Sequence, residues 1–211
     1  DGEDGKDGEN GKDGKDGKDG KDGSGFPKLD LPHIVAISWP HAEAVQGPPK
    51  SLSDLMVAFD RPMLPETLHE YSFEVYIRLD SDQRAPFRTS VFHKIDGIIT
   101  PLQVEADCNS RTIKVADEKP GAGKANGVRF QPRDFNFGPT PFIFGEYVVL
   151  LDGNFILGFD AIDYGGSVRH NPPLDGEHFA NGLRGAAPNK RCPSGDGIEG
   201  GTFRSWFRYT D

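Results

Sequence analysis

An all-β fold, an antiparallel β-sandwich preceded by a glycine-periodic tract, is what this sequence predicts, and three observations predict it. From Ile34 onward apolar residues recur with period two in short runs. Loops rich in Gly, Pro, Asn and Asp separate those runs, and almost no helical periodicity interrupts them. Residues 1–25 follow neither pattern: glycine stands at every third place, with charged side chains between. With 211 residues, Gly 27, Pro 17, 35% hydrophobic residues and a net charge of -9, the chain has one domain's worth of core plus a solvated segment.

The solvated segment is 1–25, with nine acidic residues, five lysines and no aliphatic or aromatic side chain. It cannot fold by hydrophobic collapse. Glycines at 2, 5, 8, 11, 14, 17, 20 and 23 keep phase without a slip, lysine fills the first variable place from residue 12 to 21, and aspartate the second from 13 to 22. This is the period needed when three polyproline-II-like chains wind about an axis that admits only glycine. Lys and Asp on staggered chains would then pair where proline is usually found. A flexible charged linker is the alternative, though a linker needs no three-residue period. Calcium loops do not fit, because EF-hand ligands alternate at spacing two and RTX repeats have a nine-residue period.

Residues 26–32 form a proline-punctuated linker, and a sandwich domain is expected over 33–211. The segment 33–40 reads as a first strand, with Ile34, Ala36 and Ser38 alternating against Val35, Ile37 and Trp39. A second lies in 53–63, with Leu55, Val57 and Phe59 on one face, and 65–68 follows a proline and reads as one helical turn. Further strands are expected at 72–80, 111–115, 127–132, 145–153 and 202–209. Seven strands with Gly/Pro punctuation define a sandwich. The aromatics Trp39, Phe59, Phe73, Phe130, Phe203, Trp206 and Phe207 sit at alternating positions and are expected in the core, with an exposed sugar-stacking platform as the alternative. The broken, phenylalanine-rich stretch 133–145 is where a ligand or partner chain is expected, if any surface binds one.

Several functions are disfavoured. The mild acidity of the domain offers no basic face to phosphate, so nucleic acid is not an expected partner. The longest apolar run, Tyr147 to Leu151, is strand-sized, so no membrane span is expected. Asp1 is not expected to be a native start, and with upstream sequence expected to be missing, targeting is not read from this chain. Six scattered histidines (33, 41, 69, 93, 170 and 178) show no zinc spacing, and the glycine-flanked serines at 167 and 194 lack a nucleophile-elbow signature. The stretch 119–127 lacks phosphate-loop spacing and reads as a loop. No catalytic, cofactor or metal residue is assigned. Asp152, Asp160, Asp163, Asp175 and Glu177 could supply oxygen ligands to calcium, but as Asp/Glu in Gly-rich turns they are read as ordinary turn residues.

Two resemblances extend this reading. Residues 2–25 resemble the proline-poor collagen-like tracts of bacterial surface proteins. "LMVAFDRPMLPETL" (55–68), "GEYVVLLDGNFILGFDAIDYGG" (145–166), "LDGEHF" (174–179) and "PSGDGIEGGTFRSWF" (193–207) resemble bacterial Ig-like domains, over about 34–209 with a longer and less regular middle at 81–126. Together they imply a non-enzymatic extracellular structural or adhesion module at the end of a collagen-like stalk. Its expected partners are two further copies of itself, forming a homotrimer through the tract, and a surface protein or glycan. A secreted carbohydrate- or calcium-binding domain is the alternative. The cysteines, Cys108 and Cys192, are then expected to form a disulfide, because such a protein works in an oxidising compartment.

Overall fold

The computed structural model describes residues 30–46, 54–78, 91–108, 112–133, 145–164, 166–177, 179 and 194–210. Residues 1–29, which contain the Gly-X-Y tract, lie outside them, as do Cys192, His178 and most of the phenylalanine-rich stretch, 134–144. The described chain is an antiparallel β-sandwich with one short 3₁₀ turn at Pro65–Thr67. One sheet contains β1 (Ile34–Ile37), β3 (Leu55–Phe59), β6 (Gly97–Glu105), β7 (Lys114–Asp117) and β8 (Gly127–Pro132), in the order β1-β3-β8-β6-β7. The other contains β2 (Glu43–Gln46), β4 (Phe73–Arg78), β5 (His93–Lys94), β9 (Gly145–Asp152) and β12 (Thr202–Thr210), in the order β2-β12-β9-β4-β5. β10 (Ile162–Tyr164) and β11 (Ser167–Arg169) form a separate hairpin.

The period-two runs become the inner faces. Leu55, Val57 and Phe59 of β3 are buried opposite Phe73, Val75 and Ile77 of β4 and Tyr147, Val149 and Leu151 of β9, all in one core cluster. Trp39, Phe73 and Phe130 meet there with ring centroids 6.5 and 5.8 Å apart, and the rings of Tyr147 and Phe207 stack at 4.9 Å. Each such side chain contributes about 1.5–3 kcal/mol by leaving water, so the two inner faces dominate the stability of the domain. Of the seven aromatics expected in the core, Trp206 is the exception: it stands 40% exposed on the outer face of β12.

Four elements depart from the sequence pattern. Ile34 and Ile37 were expected on opposite faces, yet both enter the core with Trp39, because the β1–β3 register shifts between Ile34 and Ala36 and the bulge reverses the phase of the strand. The strand expected at 111–115 is displaced to Lys114–Asp117, where it is exposed and pairs with β6. The irregular middle holds that β6–β7 hairpin, and β6 joins the main sheet through β8. Pro101 is tolerated in β6 because it pairs only with Val128, short of the point where β7 begins to pair on the other side. β2 adds to β12 in parallel, unlike the other pairs between described strands. No helix among the described residues is long and apolar enough to cross a membrane.

Candidate functional site: the joint between the tract and the sandwich

The described chain begins at Asp30 and is locked into the end of the sandwich within three residues. Leu31 and Pro32 are buried, whereas Asp30 is exposed. Arg61, just past β3, grips that exposed residue: Nη2 donates to Asp30 Oδ1 at 2.6 Å and Nη1 to the Asp30 carbonyl at 2.8 Å. The bond from Arg61 holds the Asp30 carboxyl below its ordinary range. Asp60 and His33 exchange two bonds, His33 N–H to Asp60 Oδ1 at 2.9 Å and Asp60 N–H to the His33 carbonyl at 3.0 Å.

From the other side, loops far along the chain complete the joint. Asp175 N–H donates to the Pro32 carbonyl at 2.9 Å, and Ser194 N–H to the Ile34 carbonyl at 2.9 Å. The Ser194 hydroxyl accepts from Ile34 N–H at 2.8 Å and donates to the Asp175 carbonyl at 2.7 Å. The Asp175 side chain is fully buried, and its carboxylate gathers the 194–197 turn by accepting Gly197 N–H at 2.7 Å and Asp196 N–H at 3.2 Å. Burial raises its carboxyl above the ordinary range, against the opposing pull of the Gly197 bond. The turn must carry glycine at 195: its φ is +95°, and a Cβ there would lie 2.0 Å from Asp175 Cγ.

Serine, histidine and aspartate therefore meet here, but not as a proton relay. The Ser194 proton points to a backbone carbonyl, and His33 Nδ1 lies 3.8 Å from Asp175 Oδ2, beyond hydrogen-bond length. What the arrangement does chemically is satisfy backbone groups of residues 30–34 that would otherwise be buried without partners.

The other acidic candidates separate. Asp152 accepts Asn154 N–H at 3.0 Å and Asp163 accepts Gly166 N–H at 3.0 Å, both as turn residues. Asp160 is exposed, and Glu177 packs its Cγ against Gly201. Among the described residues no three His, Cys, Asp or Glu side chains converge as metal ligands. The stretch 119–127 is a loop leading into β8. Cys108 lies exposed just beyond β6 and is not a free thiol, while Cys192 is outside the described residues.

The sequence reading weighed Ser194 only as a nucleophile, did not single out the Asp60–Arg61 pair, and took Asp175 for a turn residue. A usable signal was the density of glycine in 195–201, which frees backbone N–H groups to converge on one acceptor. An open cavity of about 500 Å³ was also unforeseen; it lies on the outer side of the β1 sheet, between Val35, Ala58, Val104 and Asn126, with Glu105 and Asp107 at its rim.

No family model matches the chain, and no curated protein is similar to it in sequence. Among solved structures the chain is similar to PcoC, a methionine-rich copper resistance protein from Escherichia coli, at 9% identity and a TM-score of 0.38, over 85% of this chain and 99% of that one. At that identity no ligand site carries across.

Proposed function

We propose that the chain is a non-enzymatic extracellular module, a structural or adhesive Ig-like sandwich closing a collagen-like stalk. The observation that carries this reading is the joint itself. Backbone and side-chain bonds from Asp60, Arg61, Asp175 and Ser194 fix residues 30–34, so force on the preceding tract passes into β1 and its neighbours instead of peeling a loose terminus. The strict glycine phase of 2–23 supports the stalk. A disulfide between Cys108 and Cys192 belongs to the same extracellular reading.

The stalk is tested by extending the tract N-terminally with proline-bearing Gly-X-Y triplets, which forces nucleation of any competent triple helix. A competent tract shows a cooperative triple-helix melt by circular dichroism and protects Lys12, Lys15, Lys18 and Lys21 from trypsin. Prompt cleavage at those lysines in the extended chain identifies a linker and rejects the stalk.

A second reading, carbohydrate binding, draws on Trp206. It stands outward in register with Val148 and Tyr76, beside the exposed Arg204 on the same face of β12. Glycan-array binding that disappears in Trp206→Ala would establish it; an array silent for the wild-type chain removes it.

A further inference from the structure

The outer face of the β2-β12-β9-β4-β5 sheet departs in charge from the chain as a whole. Alternation along β12 turns Phe203, Ser205 and Phe207 inward and leaves Arg204, Trp206 and Arg208 outside. β9 sets Leu150, Val148 and Glu146 beside those three in register, and β4 continues the rows with Glu74, Tyr76 and Arg78. Lys94 of β5 stands next to Tyr76. Four cations therefore share this face with three carboxylates, Glu74, Glu146 and Asp152, in a chain whose net charge is -9.

Each of those carboxylates is already engaged. Lys94 Nζ donates to Glu74 Oε1 at 2.6 Å and the Tyr76 hydroxyl to Glu74 Oε2 at 3.1 Å. Arg78 pairs with Glu146, and Asp152 Oδ1 accepts from Asn154 N–H and Nδ2. Arg204 is left over: its neighbour in register is the apolar Leu150, and no carboxylate among the described residues pairs with its guanidinium. The indole two residues on is open as well. Val148 lies on one side of Trp206, and on the other Ala42 donates its N–H to the Trp206 carbonyl at 2.8 Å, with Ala44 next along the edge strand. Alanine is too short to cover an indole, and Trp206 stays 40% exposed.

We infer that this face takes an acidic saccharide, a sugar ring lying on Trp206 with its carboxylate received by Arg204. The inference rests on the carbohydrate reading and adds the class of sugar. An indole offers a flat apolar surface to a pyranose ring. Successive outward positions on a strand are about 7 Å apart, a distance that one pyranose and its carboxylate span, so a sugar seated on Trp206 brings the acid to the guanidinium. The planar guanidinium donates two parallel N–H bonds to a carboxylate. A neutral sugar would leave that guanidinium without a counter-charge, and an acidic peptide would meet the charge but bring no ring to the indole. Because the site is open to solvent, binding weakens as salt rises.

The test is an array in which sialylated and uronate-bearing glycans stand beside their neutral parents, sulfated counterparts and polyglutamate. It is read with the 211-residue chain, Arg204→Gln, Trp206→Ala and, as a control for charge elsewhere, Lys124→Gln on an exposed loop. Thermal melts check that all four fold. Wild type and control should bind the carboxylated glycans about tenfold more tightly than the neutral parents, the size expected of one bond to a charged group. Arg204→Gln should bring that ratio to within about twofold, and Trp206→Ala should abolish binding to both. An array silent for the wild type removes the carbohydrate reading and the inference with it. Binding through Trp206 that ignores the carboxylate, or a preference untouched by Arg204→Gln, keeps that reading and overturns the acidic sugar. Tighter binding of sulfated glycans or of polyglutamate overturns it too, by assigning the face to another anion.

Discussion

Replacing Asp175 with alanine should destabilise the domain by about 2–4 kcal/mol. The carboxylate accepts two backbone N–H bonds, from Gly197 at 2.7 Å and Asp196 at 3.2 Å, and a bond to a charged group is worth about 1.5–3 kcal/mol. Two terms reduce the sum. Asp196 is exposed, so water replaces part of what its N–H loses, and burial already penalises the ionised carboxylate, which raises its pKa. At about 2–4 °C per kcal/mol for a domain of this size, the melting temperature should fall by about 5–15 °C. Urea denaturation followed by circular dichroism reads the change; an Asp175→Ala protein within about 0.5 kcal/mol of wild type would refute the role given to the carboxylate. The sign with pH follows from the raised pKa. The folded chain holds this proton more tightly than the unfolded chain, so protonation adds a linkage term, separate from the two bonds, that is fully present below the ordinary carboxylate range and is lost as pH rises through the raised folded value. Asp30, whose pKa the Arg61 bond lowers, behaves oppositely: its contribution is present above the ordinary range and is lost as pH falls through the depressed value. Relative to wild type, Asp175→Asn should lose stability on acidification into the carboxylate range, and Asp30→Asn should gain it.

Gly195→Ala should cost more than about 3 kcal/mol, because it adds a clash with Asp175 to an unfavourable φ, while Gly197→Ala, with open space around it, should cost only the backbone term of about 1–2 kcal/mol; equal denaturation midpoints would contradict the packing at 195. Ser205→Ala leaves the buried Trp39 Nε1 donor, now bonded at 2.8 Å, without its acceptor, and should cost about 1–3 kcal/mol in urea denaturation. Non-reducing peptide mapping should find Cys108 joined to Cys192; closing a loop of roughly 84 residues is worth about 4–5 kcal/mol, so reduction should lower the melting temperature, and two free thiols in protein secreted through an oxidising compartment would reject the bridge.

The strands legible in the sequence are those whose alternation alone decides their burial. Leu55, Val57 and Phe59 needed no knowledge of their neighbours, nor did Phe73, Val75 and Ile77, since one buried face imposes period two. β6 was hidden by Pro101 and by Ile98, which is exposed at 48% and breaks the pattern. β2 has no apolar alternation; backbone pairing with β12 holds it in place. The bulge in β1 cannot be read from "HIVAIS", because the register depends on how β3 meets it.

The joint was illegible for a related reason. Nothing in "PPLDGEH" distinguishes a buried aspartate from an ordinary turn aspartate; the difference lies some twenty residues later, in a glycine-rich turn that brings two N–H groups to the carboxylate. That partnership also connects the inside of this end to its outside. The same turn is braced from within: Ile198 N–H donates to Asp196 Oδ1 at 2.9 Å, and the Ile198 side chain stands 68% exposed beyond it. The buried carboxylate that gathers the 194–197 turn thus also sets where the Ser194 hydroxyl meets Ile34 N–H, and through it fixes the start of β1.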